Sequence, residues 1–108
     1  MSATAFIDYR GRIVRLTAER RQHLLTQHPE MTEELEKIGN VLARPERVVQ
    51  SRSDPEAELF YMWQRQSRVG PKYLCVVVVA KADDAFVLTA YLTDTIKKGR
   101  VLWPENNV

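Results

Sequence analysis

The chain has 108 residues, 44% hydrophobic and 28% charged, with a formal net charge of +2. That length bounds it to one small domain, residues 1–108, able to build a core without metals or disulfides, and the composition excludes a disordered chain. The single Cys75 excludes an internal disulfide and a cysteine-based zinc cluster, and no apolar run approaches the ~18 residues of a membrane span.

Residues 4 to 16, TAFIDYRGRIVRL, suggest two short strands around Arg10-Gly11, where glycine supplies the positive φ of a hairpin. Thr17 suits the N-cap of a helix over 18–28, with Glu19 placed to favour the helix dipole. Pro29 stops that helix and can open a second one reaching about Ala43. There Met31, Leu35, Ile38 and Leu42 form an apolar stripe, while Gly39 weakens the last turn. After Pro45 the pattern changes to period two, with strands expected at about 46–52, 58–66, 73–81 and 85–93. The joins Ser53-Asp54-Pro55, Gly70-Pro71 and Asp83-Asp84 are rich in turn formers, and such short joins imply an antiparallel meander. YLCVVVVA is apolar on both faces and belongs at the centre. The tail from Thr95, with Lys97, Lys98, Gly99, Arg100 and Trp103-Pro104, shows no clear pattern. The expected fold is α+β: N-terminal helices packed on one face of a four-stranded or slightly larger antiparallel sheet.

Alternation sorts the faces of that sheet. Phe86, Leu88, Ala90 and Leu92 share one side with Phe60 and Met62, the side expected to meet the helices. The other side then carries Tyr61, Trp63, Arg65, Val87, Thr89, Tyr91 and Thr93. Hydroxyls, aromatic rings and a guanidinium suit the stacking of bases and the holding of phosphate. Ordinary β formers on an exposed sheet face look the same.

His28 points toward the sheet side at the end of the first helix, where a ring nitrogen can bond a backbone group across the junction; His23 points to a flank. The two are five residues apart, without the i,i+4 spacing or third ligand of a metal site. Cys75, inside the central strand, is a poor nucleophile. No GxSxG, P-loop or GxGxxG motif is present. The acidic Glu46, Asp54, Glu56 and Glu58 look solvated, with no evident pairing.

HLLTQHPEM, ARPERVVQS, KYLCVVVVA and FVLTAYLTD together resemble a family of small bacterial and phage proteins. These carry an early His-x4-His-Pro-Glu segment and a Thr-Ala-Tyr segment in the last strand. The family is a branch of the barnase–EndoU–colicin–RelE-like nuclease fold, and the resemblance spans about residues 20 to 95. It implies a metal-independent, cofactor-free endoribonuclease, toxin-like, with RNA on the open sheet face and an antitoxin or immunity protein as partner. It marks His23, His28, Thr89 and Tyr91 as the catalytic set. One departure is Gln22 before His23, where relatives often carry an aromatic.

Such an enzyme cleaves RNA through the 2′-OH, which needs a base, an acid and a cation. Histidine serves the proton steps. Arg65, Lys72 or Arg100 would stabilise phosphate charge, with Thr89 and Tyr91 holding the phosphate and Tyr61 and Trp63 the bases. The rival reading is a non-catalytic protein- or RNA-binding domain of the same fold, in which His28 caps the helix junction and Tyr91 packs. Inert membership of the family is a third. The absence of a leader and of disulfides points to the cytoplasm, and the pattern sets no oligomeric state.

Overall fold

In a computed structural model, which describes residues 4–105, chain order runs β1 (Thr4–Ile7), β2 (Ile13–Leu16), α1 (Ala18–Gln27), α2 (Ile38–Ala43), β3 (Arg47–Gln50), β4 (Ala57–Gln64), β5 (Lys72–Ala80), β6 (Ala85–Thr93) and β7 (Arg100–Trp103). The seven strands form one sheet in the order β1-β2-β6-β5-β4-β3-β7. Strand β5 lies in the middle of the seven, as a run that is apolar on both faces requires. All pairings are antiparallel except β2 with β6, whose register is a single parallel pair, Arg15 with Phe86.

This architecture corrects the expected four-stranded or slightly larger antiparallel sheet with N-terminal helices packed on one face. The sheet is larger and mixed, because the N-terminal hairpin extends one edge and the C-terminal tail the other. Both additions pair backbone groups that the edges of a four-strand meander would leave open. The helical part is smaller than expected. Only α1 is a full-length helix, started by Thr17, whose hydroxyl accepts from the Arg20 N–H at 3.1 Å. The anticipated helix over 29–43 breaks into 3-10 turns at Pro29–Thr32 and Leu35–Lys37 before the six-residue α2. Glu30, Glu33, Glu34 and Glu36 explain the break, since an α-helix stacks like charges at i,i+3 and i,i+4. The stripe nevertheless packs inward: Met31, on a 3-10 turn, and Ile38 and Leu42, on α2, are all buried.

Two apolar clusters lie on opposite faces of the sheet. Leu24, Met31, Ile38, Val41 and Leu42 meet Val14, Leu16, Phe60, Val76, Val78, Val87 and Ala90 on the helix side. The opposite face has a second, smaller core of Val49, Ala57, Leu59, Tyr61, Cys75 and Val77, packed by Tyr73, Leu88, Tyr91 and Ile96. Residues 94–99 build this second core. From β6 the chain must pass β5, β4 and β3 to reach β7, and it does so as a strap across the far face. Ile96 packs down on the cluster, and the Lys97 N–H donates to Tyr61 Oη at 3.0 Å. Gly99 sits so close to β3 that a Cβ there would fall 2.3 Å from the Gln50 carbonyl oxygen.

A bulge in β6 corrects the simple alternation. Val78 pairs with Val87 but Val77 pairs with Thr89, so Leu88 is the extra residue. The phase therefore switches within the strand. Val87 lies in the helix-side core rather than on the far face, and Leu88 packs on the far face rather than against the helices. Beyond the bulge Ala90 and Leu92 face the helices, and Tyr91 packs on the far cluster. Without that extra residue, Val87 and Tyr91 could not occupy opposite faces.

The β1–β2 loop is tied down by buried Asp8. Its carboxylate accepts from the Arg10 and Arg12 N–H groups, both at 2.9 Å, and from Arg12 Nε at 2.8 Å. Arg12 also reaches Glu58 Oε1 at 2.7 Å, so Glu58 is a paired carboxylate, not a solvated one. Among the described residues, no helix is long and apolar enough to cross a membrane.

Candidate functional site

Two features bear on function: an imidazole–phenol contact between the end of α1 and β6, and a cationic groove beside the strap, across the sheet at β3, with β5 and β4 between. His28 ends α1, its N–H donating to the Leu24 carbonyl at 2.8 Å. Pro29 follows and forces the chain to turn there. Because β2 pairs with β6 only beside Phe86, the later part of β6 has α1 and the first 3-10 turn as neighbours instead. That leaves the His28 ring against the Tyr91 ring, centroids 5.6 Å apart and tilted by 34°. Its Nδ1 lies 3.6 Å from Glu30 Oε2, an ion-pair distance when the ring is protonated, with the side chain 33% exposed. The expected bond from this ring to a junction backbone group is replaced by the Glu30 side chain.

Tyr91 in turn stands in a row across three strands, Tyr61 opposite Cys75 and Cys75 opposite Tyr91. Burial, reinforced by the Cys75 thiol, holds both phenols well above the usual tyrosine range. Burial also pushes the thiol up to about 11, against the lowering effect of the two phenols and Lys97. Tyr91 is thus a proton donor or a packing ring, never a base, near neutral pH. Cys75 is fully buried and stays a thiol.

Thr89, at the bulge, has a hydroxyl oxygen that is buried without a hydrogen-bond partner. A buried unmet hydroxyl costs roughly 1–3 kcal/mol, so the bulge carries some energetic penalty. The oxygen is covered, so it does not present itself to a phosphate. His23 is exposed on α1, about 140° around the helix from His28 at 100° per residue. The structure brings His28 and Tyr91 together and leaves His23 apart.

The five residues expected to bind nucleic acid also scatter. Tyr61 is on the far face but 0% exposed, sealed beneath the strap. Trp63 remains 41% exposed in a T-shaped contact with Tyr73, centroids 4.8 Å apart. Arg65 follows the end of β4 and lines a separate depression with Lys37, Gln64 and Gln66. Lys72 is paired with Asp94. Arg100 is exposed on the edge strand β7.

Residues that sequence reasoning did not single out form the groove itself. Arg47, Arg52, Lys97 and Lys98 converge with Val49, Ile96, Gly99 and Val101 around a cleft of about 360 Å³. A second cleft, about 390 Å³, shares Arg47 and Ile96 with the first and adds Glu46, Trp63 and Tyr73. The Glu46 carboxylate is engaged by the Trp63 backbone N–H. Among the described residues, none of the four cations has a salt-bridge partner. The pair Lys97-Lys98 was visible in the tail, but only the strap brings it opposite Arg47 and Arg52. No three His, Cys, Asp or Glu side chains among the described residues form a metal-ligating group.

A scan of protein-family models finds no match to this chain, and neither the curated proteins nor the solved structures yield one.

Proposed function

We propose that this chain is a metal-independent endoribonuclease that binds RNA on the strap face and uses His28 for proton transfer. The observation that carries the reading is the half-exposed His28 imidazole, held beside Glu30 and against Tyr91. The Tyr91 ring packs on the same cluster as Ile96 of the strap, next to which four cations gather that have no salt-bridge partner among the described residues. In its neutral form the ring takes the 2′-OH proton at Nε2, and the 2′-oxygen attacks phosphorus. The bond to the 5′-oxygen breaks, leaving a 2′,3′-cyclic phosphate, and water protonates the departing oxygen. Glu30 steadies the imidazolium so formed. Tyr91 acts as a positioning residue through its ring. The cations of the groove offset charge on the phosphate.

A reducing cytoplasm suits the buried, unpaired thiol of Cys75. The toxin-like character drawn from the family resemblance adds an antitoxin as partner, which would act by covering the strap face. The second reading, a non-catalytic RNA-binding domain, is favoured by one observation: His23 is remote, so the site has a single imidazole.

Cleavage of a short RNA in the presence of a chelator separates the two. Wild type is expected to give products ending in a 2′,3′-cyclic phosphate. His28→Ala lowers the rate on the order of 10²-fold or more, Tyr91→Phe keeps most of it, and Tyr91→Leu loses it while shifting the pH profile. Equal rates for wild type and His28→Ala would overturn the catalytic assignment.

A further inference from the structure

We propose that the groove between the strap and β3 selects single-stranded over double-stranded RNA, seating phosphates on Arg47, Arg52, Lys97 and Lys98 and stacking a base on Trp63. The proposal deepens the reading above and rests on its choice of RNA as the ligand, though not on cleavage. Three observations carry it. First, four cations with no acidic partner among the described residues line one cleft of about 360 Å³. Unpaired like charges at such density repel one another, and an anion relieves that repulsion. Second, the adjoining cleft shares Arg47 and Ile96 and ends on Trp63. Trp63 meets Tyr73 in a T-shaped contact and keeps 41% of its surface exposed. A cationic track that leads to an exposed aromatic ring is the chemistry of a single strand, whose bases are free to turn outward and stack. Third, each cleft falls near the lower end of the roughly 300–1,000 Å³ of small-ligand sites, so it admits single nucleotides. In a duplex the base faces are stacked inside and cannot meet Trp63, leaving only the phosphate contacts.

The strap itself fixes the geometry. Ile96 is anchored in the second core and the Lys97 N–H is bonded to Tyr61 Oη, so Lys97 and Lys98 are held on a tethered backbone.

The test is fluorescence anisotropy with a labelled 2′-deoxy ten-nucleotide single strand, which has no 2′-OH to be attacked, and the matching blunt duplex. The single strand is expected to bind at least tenfold more tightly than the duplex. Trp63→Ala weakens single-strand binding roughly tenfold or more and leaves duplex binding within twofold. Arg52→Gln with Lys97→Gln weakens both, whereas Lys81→Gln in the β5–β6 turn weakens neither. Equal affinity for strand and duplex, no loss with the Arg52/Lys97 pair of changes, or displacement of the probe by polyglutamate as readily as by unlabelled strand would each overturn the proposal. Absence of RNA cleavage with this binding pattern intact would instead count against the catalytic role of His28 alone.

Discussion

A single methyl group at position 99 tests whether the strap is a built part of the fold. An alanine Cβ there would lie 2.3 Å from the Gln50 carbonyl oxygen and 2.6 Å from Val49 Cγ1, where 3.0 Å is the closest approach real Cβ atoms show. The strap must therefore rise by at least 0.7 Å, the difference between 3.0 and 2.3 Å. Strand β3 cannot retreat, because its backbone is laddered to β4 on one side and β7 on the other. A rise of that size along the Lys97 N–H to Tyr61 Oη bond, 3.0 Å in the native chain, takes it beyond hydrogen-bond range. Overpacking costs about 1–3 kcal/mol, and an unmet buried hydroxyl about 1–3 kcal/mol more. Reduced freedom of the unfolded chain returns roughly 0.4–1 kcal/mol. The net is a loss of about 1–5 kcal/mol, centred near 3 kcal/mol, and at ~4–8 °C per kcal/mol that central value lowers Tm by roughly 12–24 °C. Thermal melting by circular dichroism reads this directly, and oligonucleotide binding should weaken with it as Lys97 and Lys98 move. Gly11→Ala is the comparison. Its φ of +83° strains a side chain, but nothing lies within 4 Å, so it costs about 1–2 kcal/mol and leaves binding intact. A Gly99→Ala protein that melts within about 3 °C of wild type and binds undiminished would refute the reasoning.

Alkaline pH should unfold the protein through its buried acids. Cys75, Tyr61 and Tyr91 hold their protons more tightly folded than unfolded. Their contribution is complete below the ordinary values of 9.0 for the thiol and 10.0 for the phenols, and is lost as pH climbs through about 11 for the thiol and higher still for the phenols. Urea midpoints measured from pH 8 to pH 11 should fall steadily above pH 9, less so in Tyr61→Phe, and a flat profile would contradict the burial assigned here. Asp8→Ala removes three hydrogen bonds and leaves Arg12 with Glu58 alone; a loss of about 2–4 kcal/mol in denaturant unfolding is expected, with less than 1 kcal/mol disproving the role given to that loop. Four cations neutralising four single-strand phosphates predict a slope near −2.8 for log affinity against log salt, at about −0.7 per contact. A slope shallower than about −1 would mean that the groove is not the phosphate track.

Local signals settled a good part of this molecule. Thr17 before a run of helix formers, Pro29 after His28, and the paired turn formers between apolar runs each act within a few residues, so α1 and the four central strands could be read along the chain. The two-sided apolar character of YLCVVVVA likewise dictates a strand covered on both faces, because no other position shields every side chain from water. The same locality explains where such reading stopped. Pattern alone joined 29–43 into one helix, since the stripe of Met31, Ile38 and Leu42 repeats correctly, but the crowding of glutamates favours tighter turns that bury the same side chains. Tyr61 reads as an open-face aromatic because nothing in β4 announces that a segment more than thirty residues later lies over it.

Sequence by itself determined which segments before Thr95 are extended, which residues are apolar enough to be covered, and that a histidine stands at a forced chain turn, while the strand β7 in the tail gave no such signal. Tertiary structure alone decided the size of the sheet, the phase of β6 beyond its bulge, and the company that His28, Trp63, Lys97 and Lys98 keep. The division has a physical basis. Backbone preference and hydrophobicity belong to single residues and their near neighbours, whereas the edge pairings, the one-residue slip at Leu88 and the closeness of Gly99 to Gln50 arise from contacts between distant parts of the chain, whose energies exist only once those parts have met.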